Sequence, residues 1–135
     1  MANGKPEQET QHSLIAQAIA LAEVGTTGEI RVHLSKRFFE KDPFRRAQKL
    51  FQEYGMNQTS QRNAVLLYVN LRRHKISVVG DEGVQKAVGQ SFWESLILEL
   101  RRNLHATHQE RAIAVSVTMI GNKLRKHFPA REATG

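Results

Sequence analysis

Cysteine is absent from the 135 residues of this chain. That excludes a disulfide framework, a thiolate zinc site and a thiol nucleophile. Long apolar runs are missing too. The longest, around Ala64 to Val69 and Ala112 to Val117, fall far short of the roughly 20 residues that span a bilayer. Met1 to Gln11 is polar and has no apolar core of the secretory type, so a soluble, cytoplasmic domain is expected. There is no Gly-x-Ser-x-Gly elbow, phosphate-binding glycine loop or His-Glu-x-x-His pair, so no complete catalytic signature exists. No helix-turn-helix, zinc-finger or RNA-binding aromatic motif is present either. Acid is in short supply: 13 Asp and Glu face 20 Lys and Arg, for a net charge of +7 and a pI near 10.1. Such a balance favours polyanions as partners (nucleic acid, anionic lipid or acidic protein) and equally serves simple solubility.

What remains is ordinary globular composition, 40% hydrophobic and 24% charged, in a length that suits one domain. Leu14, Ile15, Ala18, Leu21 and Ala22 recur at helical spacing, and Gly25 ends that helix. Glu29 to Ser35 alternates, with Ile30, Val32 and Leu34 on one face and Arg31 and His33 on the other, as in a strand. Asp42-Pro43 opens a second helix by capping, striped by Phe44, Ala47, Leu50, Phe51 and Tyr54 and closed by Gly55. Ala64 to Val69 is continuously apolar, which predicts an inner strand covered on both faces. The polar turn Asn70 to His74 is short enough to force Lys75 to Gly80 antiparallel to it. Ser91 to Glu94 and Thr107 to Glu110 read as capping boxes opening two further helices, the last ended by Pro129.

The order is therefore α-β-α-β-β-α-α. The first two strands are parallel and the third is antiparallel, in a three-layer α/β/α sandwich with a small mixed sheet. A flexible segment over residues 1–12, the domain over 13–129 and a flexible tail over 130–135 complete the expected organisation.

The segments Thr26-Thr-Gly-Glu-Ile-Arg-Val32, Gly55-Met with Thr59, and Arg62-Asn-Ala-Val-Leu-Leu-Tyr-Val69 resemble the TPM domain. So do Val79-Gly-Asp-Glu-Gly-Val84, Val88-Gly-Gln, Phe92-Trp, and Ile120-Gly with the closing His127-Phe-Pro129. The similarity runs from about Ser13 to Pro129 and lies nearest the short branch of the family without a membrane anchor. Leu104 to Arg111 lacks the glycine-rich turn usual there, and Ala64 stands where the family commonly has glycine. The resemblance implies the same sandwich and divalent-metal binding, since some relatives bind calcium. More distantly it implies the phosphatase activity of a plant thylakoid relative, or a part in membrane-protein assembly or repair. It supplies a fold more firmly than a reaction.

Chain direction decides which residues meet. The starts of the first two strands and the exit of the third share one rim, gathering Thr26 to Glu29, Arg62, Asn63, Asp81 and Glu82. Glu29, Asn63, Asp81 and Glu82 are oxygen donors of the kind that suits calcium or magnesium. The plainer reading is that Asp81 caps the next helix and Glu29 pairs with Arg62. The far rim is basic: Lys36, Arg37, Lys41, Arg45, Arg46 and Lys49 approach Arg72, Arg73 and Lys75, beside Phe38 and Phe39. It suits anionic lipid or nucleic-acid phosphates, or is a solvated surface. Three functions stay open: an accessory module that binds a partner or surface and is tuned by a divalent cation, a weak metal-dependent phosphatase, and a nucleic-acid-associated domain.

Overall fold

A computed structural model of the chain describes residues 5–105 and 108–131. Helix α1 (Lys5–Ala22) leads into strand β1 (Glu29–Ser35), helix α2 (Pro43–Glu53) and a 3₁₀ turn (Met56–Gln58). Strands β2 (Ala64–Asn70) and β3 (Lys75–Gly80) follow, then helices α3 (Glu82–Val88), α4 (Gln90–Leu104) and α5 (Gln109–His127). The expected order holds, with the short α3 and the 3₁₀ turn added. Helix α1 already begins at Lys5, inside the stretch expected to be flexible; residues 1–4, and 132–135 of the tail, lie outside the described range.

Strand β2 is central. It runs parallel to β1, with Glu29 opposite Ala64 and Ser35 opposite Asn70. It runs antiparallel to β3, with Val65 opposite Gly80 and Asn70 opposite Lys75. Every residue of β2 is buried, as a continuously apolar strand between two helical layers requires. On one face Val65, Leu67 and Val69 join Ile30, Ile76 and Val78 under α1, α4 and α5. On the other, Ala64, Leu66 and Tyr68 pack against Ala47, Leu50 and Phe51 of α2. The alternation of side chains along β2 thus builds two cores from one strand.

The helix ends correct two expectations. Helix α4 starts at Gln90 behind Gly89, so Ser91 lies inside the helix and makes no capping box with Glu94. The residue preceding α5 is His108, whose side chain makes no capping bond; Thr107 lies outside the described residues. Asp42 does cap α2, its Oδ1 accepting from the Arg45 amide at 3.0 Å, with Pro43 in the first turn. The apolar stripe of α1 is narrower than its sequence suggests. Ile15, Ala18 and Ala22 are buried while Leu14 and Leu21 are exposed. The reason is a close crossing: a Cβ added to Gly121 of α5 would stand 2.6 Å from the Cβ of Ala22, so small residues form that interface.

Candidate functional site

The carboxylate rim assembles as chain direction requires. The Asp81 amide donates to the Ala64 carbonyl at 2.9 Å, which seats the exit of β3 beside the start of β2. Arg62, in the left-handed region at φ 52°, turns its guanidinium onto Asp81. Its Nε reaches Oδ2 at 2.6 Å and another guanidinium nitrogen reaches Oδ1 at 2.8 Å, while the third lies 3.3 Å from Glu82. Such a two-pronged pair fixes both position and plane. Hydrogen bonding to Asp81 raises the Arg62 pKa further above its ordinary value. Asp81 is only 7% exposed, and its Oδ1 also accepts from the Glu82 amide at the head of α3. Asn63 is buried and donates to the Thr27 hydroxyl at 3.0 Å.

The four residues read from sequence as cation ligands are therefore not equally placed. Asp81 and Glu82 share one guanidinium, Asn63 turns its amide nitrogen to Thr27, and Glu29 is exposed at the start of β1. Arg62 pairs with Asp81 and Glu82 rather than with Glu29. Calcium and magnesium require several free oxygens. With both Asp81 oxygens held by Arg62, the rim as arranged suits the guanidinium and does not fit a resident divalent cation. Among the described residues no group of three or more His, Asp or Glu converges on a common point. Arg62→Gln is accordingly expected to raise calcium affinity at this rim, read from the amide shifts of Asn63, Asp81 and Glu82. Equal response in the wild type and the variant would overturn this account of the pair.

At the opposite rim β1 ends and β2 turns into β3. Lys36, Arg37, Phe38 and Phe39 are all exposed, the two rings meeting edge to face at 4.9 Å. Glu40, next in sequence, is buried at 8% exposure. Its carboxylate accepts from the Tyr68 hydroxyl and, at 2.9 Å, from the Asn70 amide, while its carbonyl accepts from the Lys75 ammonium at 2.7 Å. Arg72 donates to the Lys36 carbonyl, and both Arg72 and Arg73 lie about 6 Å from the Phe38 ring centroid. The two basic clusters do converge, and a buried acid ties them together. Lys41, Arg45, Arg46 and Lys49 line an open concavity beside this loop.

Sequence reasoning missed Glu40, Tyr68 and Asn70. One sign was available in Asn70, whose Oδ1 accepts from the amides of Arg72 and Arg73, as an Asx turn does. His33, on the polar side of the alternation in β1, is half-buried. It stacks on Tyr68 at 5.6 Å, and its Nδ1 lies 2.7 Å from the Tyr54 hydroxyl. Burial, then the charge of Arg46, lowers its pKa.

The TPM domain family matches residues 7–123. The chain belongs to the TPM family. It is similar to the BA42 protein of the psychrophilic bacterium Bizionia argentinensis, solved by NMR. The two are 31% identical, the match covers 92% of this chain and 85% of that one, and the TM-score is 0.81. It also shares its fold with the N-terminal domain of the cg2496 protein from Corynebacterium glutamicum, at 12% identity, TM-score 0.66, and coverage of 93% and 76%. An N-terminal domain from P. gingivalis gives 11% identity, TM-score 0.66, and coverage of 91% and 81%. No curated protein matches the chain.

Several segments that carried the family resemblance have structural work in this TPM domain. The Thr26 hydroxyl donates to the carbonyl of Phe128 and is also 3.0 Å from that of Leu124, while accepting from the Gly28 amide. The Thr27 amide donates to the Phe128 carbonyl. The first loop is thereby bound to the end of α5. Ala64, the departure from glycine, is fully buried against α2. Trp93 fills the core instead of offering a stacking face.

Proposed function

We propose that this TPM domain is a non-enzymatic accessory module that docks on anionic phospholipid surfaces through its basic pole. One observation carries the reading: Phe38 and Phe39, 58% and 79% exposed, project amid Lys36, Arg37, Arg72 and Arg73 from a loop held down by Glu40. Two adjacent exposed phenylalanines are disfavoured in water and favoured once their rings enter the headgroup–acyl boundary of a membrane. Each flanking Lys or Arg adds about 1 kcal/mol near an anionic leaflet, and this falls away within a Debye length. No helix of the described residues is long and apolar enough to cross a membrane.

Nucleic acid fits the same charge less well. Single-stranded bases stack on open aromatic faces, whereas Phe38 and Phe39 stand at 86° to each other, with Arg72 and Arg73 beside the Phe38 ring.

Vesicle co-sedimentation tests the proposal. The protein is expected to bind phosphatidylserine vesicles at low salt and to leave them as salt rises, with little affinity for pure phosphatidylcholine. A Phe38→Ser, Phe39→Ser double variant is expected to bind at least tenfold more weakly with its melting temperature nearly unchanged. Undiminished binding by that variant, or tighter binding to a DNA or RNA oligomer than to vesicles, would sink the idea.

A further inference from the structure

Beside the docking loop lies a feature that a flat electrostatic contact does not need. Arg37, Lys41, Arg45, Arg46 and Lys49 line one open concavity between the loop and the first turns of α2, together with Phe39. Two acids, Glu40 and Asp42, share that lining, and both are already engaged. Glu40 accepts from Tyr68 and Asn70, and Asp42 accepts from the Arg45 amide as the helix cap. Five cations against two carboxylates leave an excess of three positive charges. Among the described residues none of the five has a salt-bridge partner. The Nε of Arg46 is buried with no hydrogen-bond partner at all. A buried donor left unpaired is costly, and mutual repulsion of clustered cations adds to that cost. An acceptor-rich anion placed among them relieves that repulsion.

We propose that this concavity is a binding subsite for a phosphomonoester group. A phosphomonoester carries nearly two negative charges at neutral pH and three oxygens free to accept. A phosphodiester carries one charge and offers two such oxygens. The excess of positive charge and the forked donors of three arginines match the former. The role is recognition only, since no nucleophile or general base lines the hollow apart from the two engaged acids. This inference rests on the docking pole proposed above but is separable from it, because the group can arrive on a lipid headgroup or on a free metabolite.

Amide NMR titration with glycerol 3-phosphate and, in parallel, with the diester glycerophosphocholine reads the site directly. Glycerol 3-phosphate is expected to shift Lys41, Arg45 and Arg46, and glycerophosphocholine to leave them in place. Arg46→Gln is expected to weaken the monoester response about tenfold. The exposed Lys49→Gln, which leaves the fold untouched, is expected to weaken it about threefold. Equal shifts from the diester, or an unaltered response in both variants, would overturn the subsite. Vesicles of phosphatidic acid and of phosphatidylserine at matched surface charge then identify the source. Preference for phosphatidic acid that disappears in Arg46→Gln assigns the group to lipid. Monoester binding without that preference assigns it to a soluble ligand. If no vesicle is bound while glycerol 3-phosphate still is, the subsite stands and the docking reading falls.

Discussion

Gly83→Ala is expected to destabilise the protein by about 3 kcal/mol, against the direction that helix propensity predicts. Gly83 lies in the first turn of α3, where alanine alone would be favoured by about 1 kcal/mol. A Cβ at this position would stand 2.4 Å from the Gln61 carbonyl oxygen and 2.7 Å from that of Arg62. Those are backbone atoms, and they are pinned. The Gly83 amide donates to the Arg62 carbonyl at 2.9 Å, and the Arg62 side chain is locked on Asp81. Neither side can yield without breaking the rim, so overpacking outweighs propensity. Gly55→Ala is the control. Nothing lies within 4 Å of its added Cβ, and only its left-handed φ of 69° is strained, a cost of about 1 kcal/mol. Urea denaturation of both variants checks the contrast, and a Gly83→Ala midpoint at or above the wild-type value would refute the account.

The sheet was legible because its signals were local and redundant. Alternation in β1, continuous apolarity in β2 and the short turn before Lys75 each fixed a different relation. Together they leave one arrangement, the observed one. Helix starts were less legible. Ser91 and Glu94 have the spacing of a capping box, but Gly89 at φ 91° had already begun the helix. A backbone conformation favoured by glycine decided the boundary, and spacing does not reveal it.

The candidate sites divide in the same way. That Arg62, Asn63, Asp81 and Glu82 share a rim followed from strand direction. Which of them bond to one another did not, because a guanidinium and a divalent cation compete for the same carboxylate oxygens. Sequence order gives no preference between them; the side-chain geometry places Arg62 across Asp81. At the basic pole the cations were visible as runs of Lys and Arg. The acid organising them was hidden, since Glu40 lies between Phe39 and Lys41 and looks like one more exposed loop charge. Its partners Tyr68 and Asn70 sit about 30 residues away on β2.

Glu40→Ala is therefore the substitution that should matter most at this pole, with an expected loss of about 3 kcal/mol. It removes the acceptor of the Tyr68 hydroxyl and of one of the two bonds donated by the Asn70 amide, the other going to the Arg37 carbonyl, and each orphaned O–H or N–H costs roughly 1–3 kcal/mol. The pH dependence supplies a second readout. Burial pushes the Glu40 pKa up, while the bonds from Tyr68 and Asn70 and the charges of Arg37 and Arg46 pull it down, and the net direction is below its ordinary 4.5. A carboxylate whose pKa is lower folded than unfolded contributes its stability above the unfolded value and loses it as pH falls through the folded one. The wild type should thus weaken below about pH 4.5 through this group, and Glu40→Ala should flatten that limb. His33, also lowered but from 6.5, acts in a separate window: its neutral form is favoured in the fold, so stability falls as pH drops below that value. Denaturation midpoints from pH 7 to pH 3 separate the two. Without the carboxylate the 36–42 loop keeps only its backbone ties to Asn70, Arg72 and Lys75, so the variant should bind phosphatidylserine vesicles more weakly although every cation and both exposed phenylalanines remain. A variant with the wild-type midpoint and an unchanged acid limb would show that Glu40 anchors nothing.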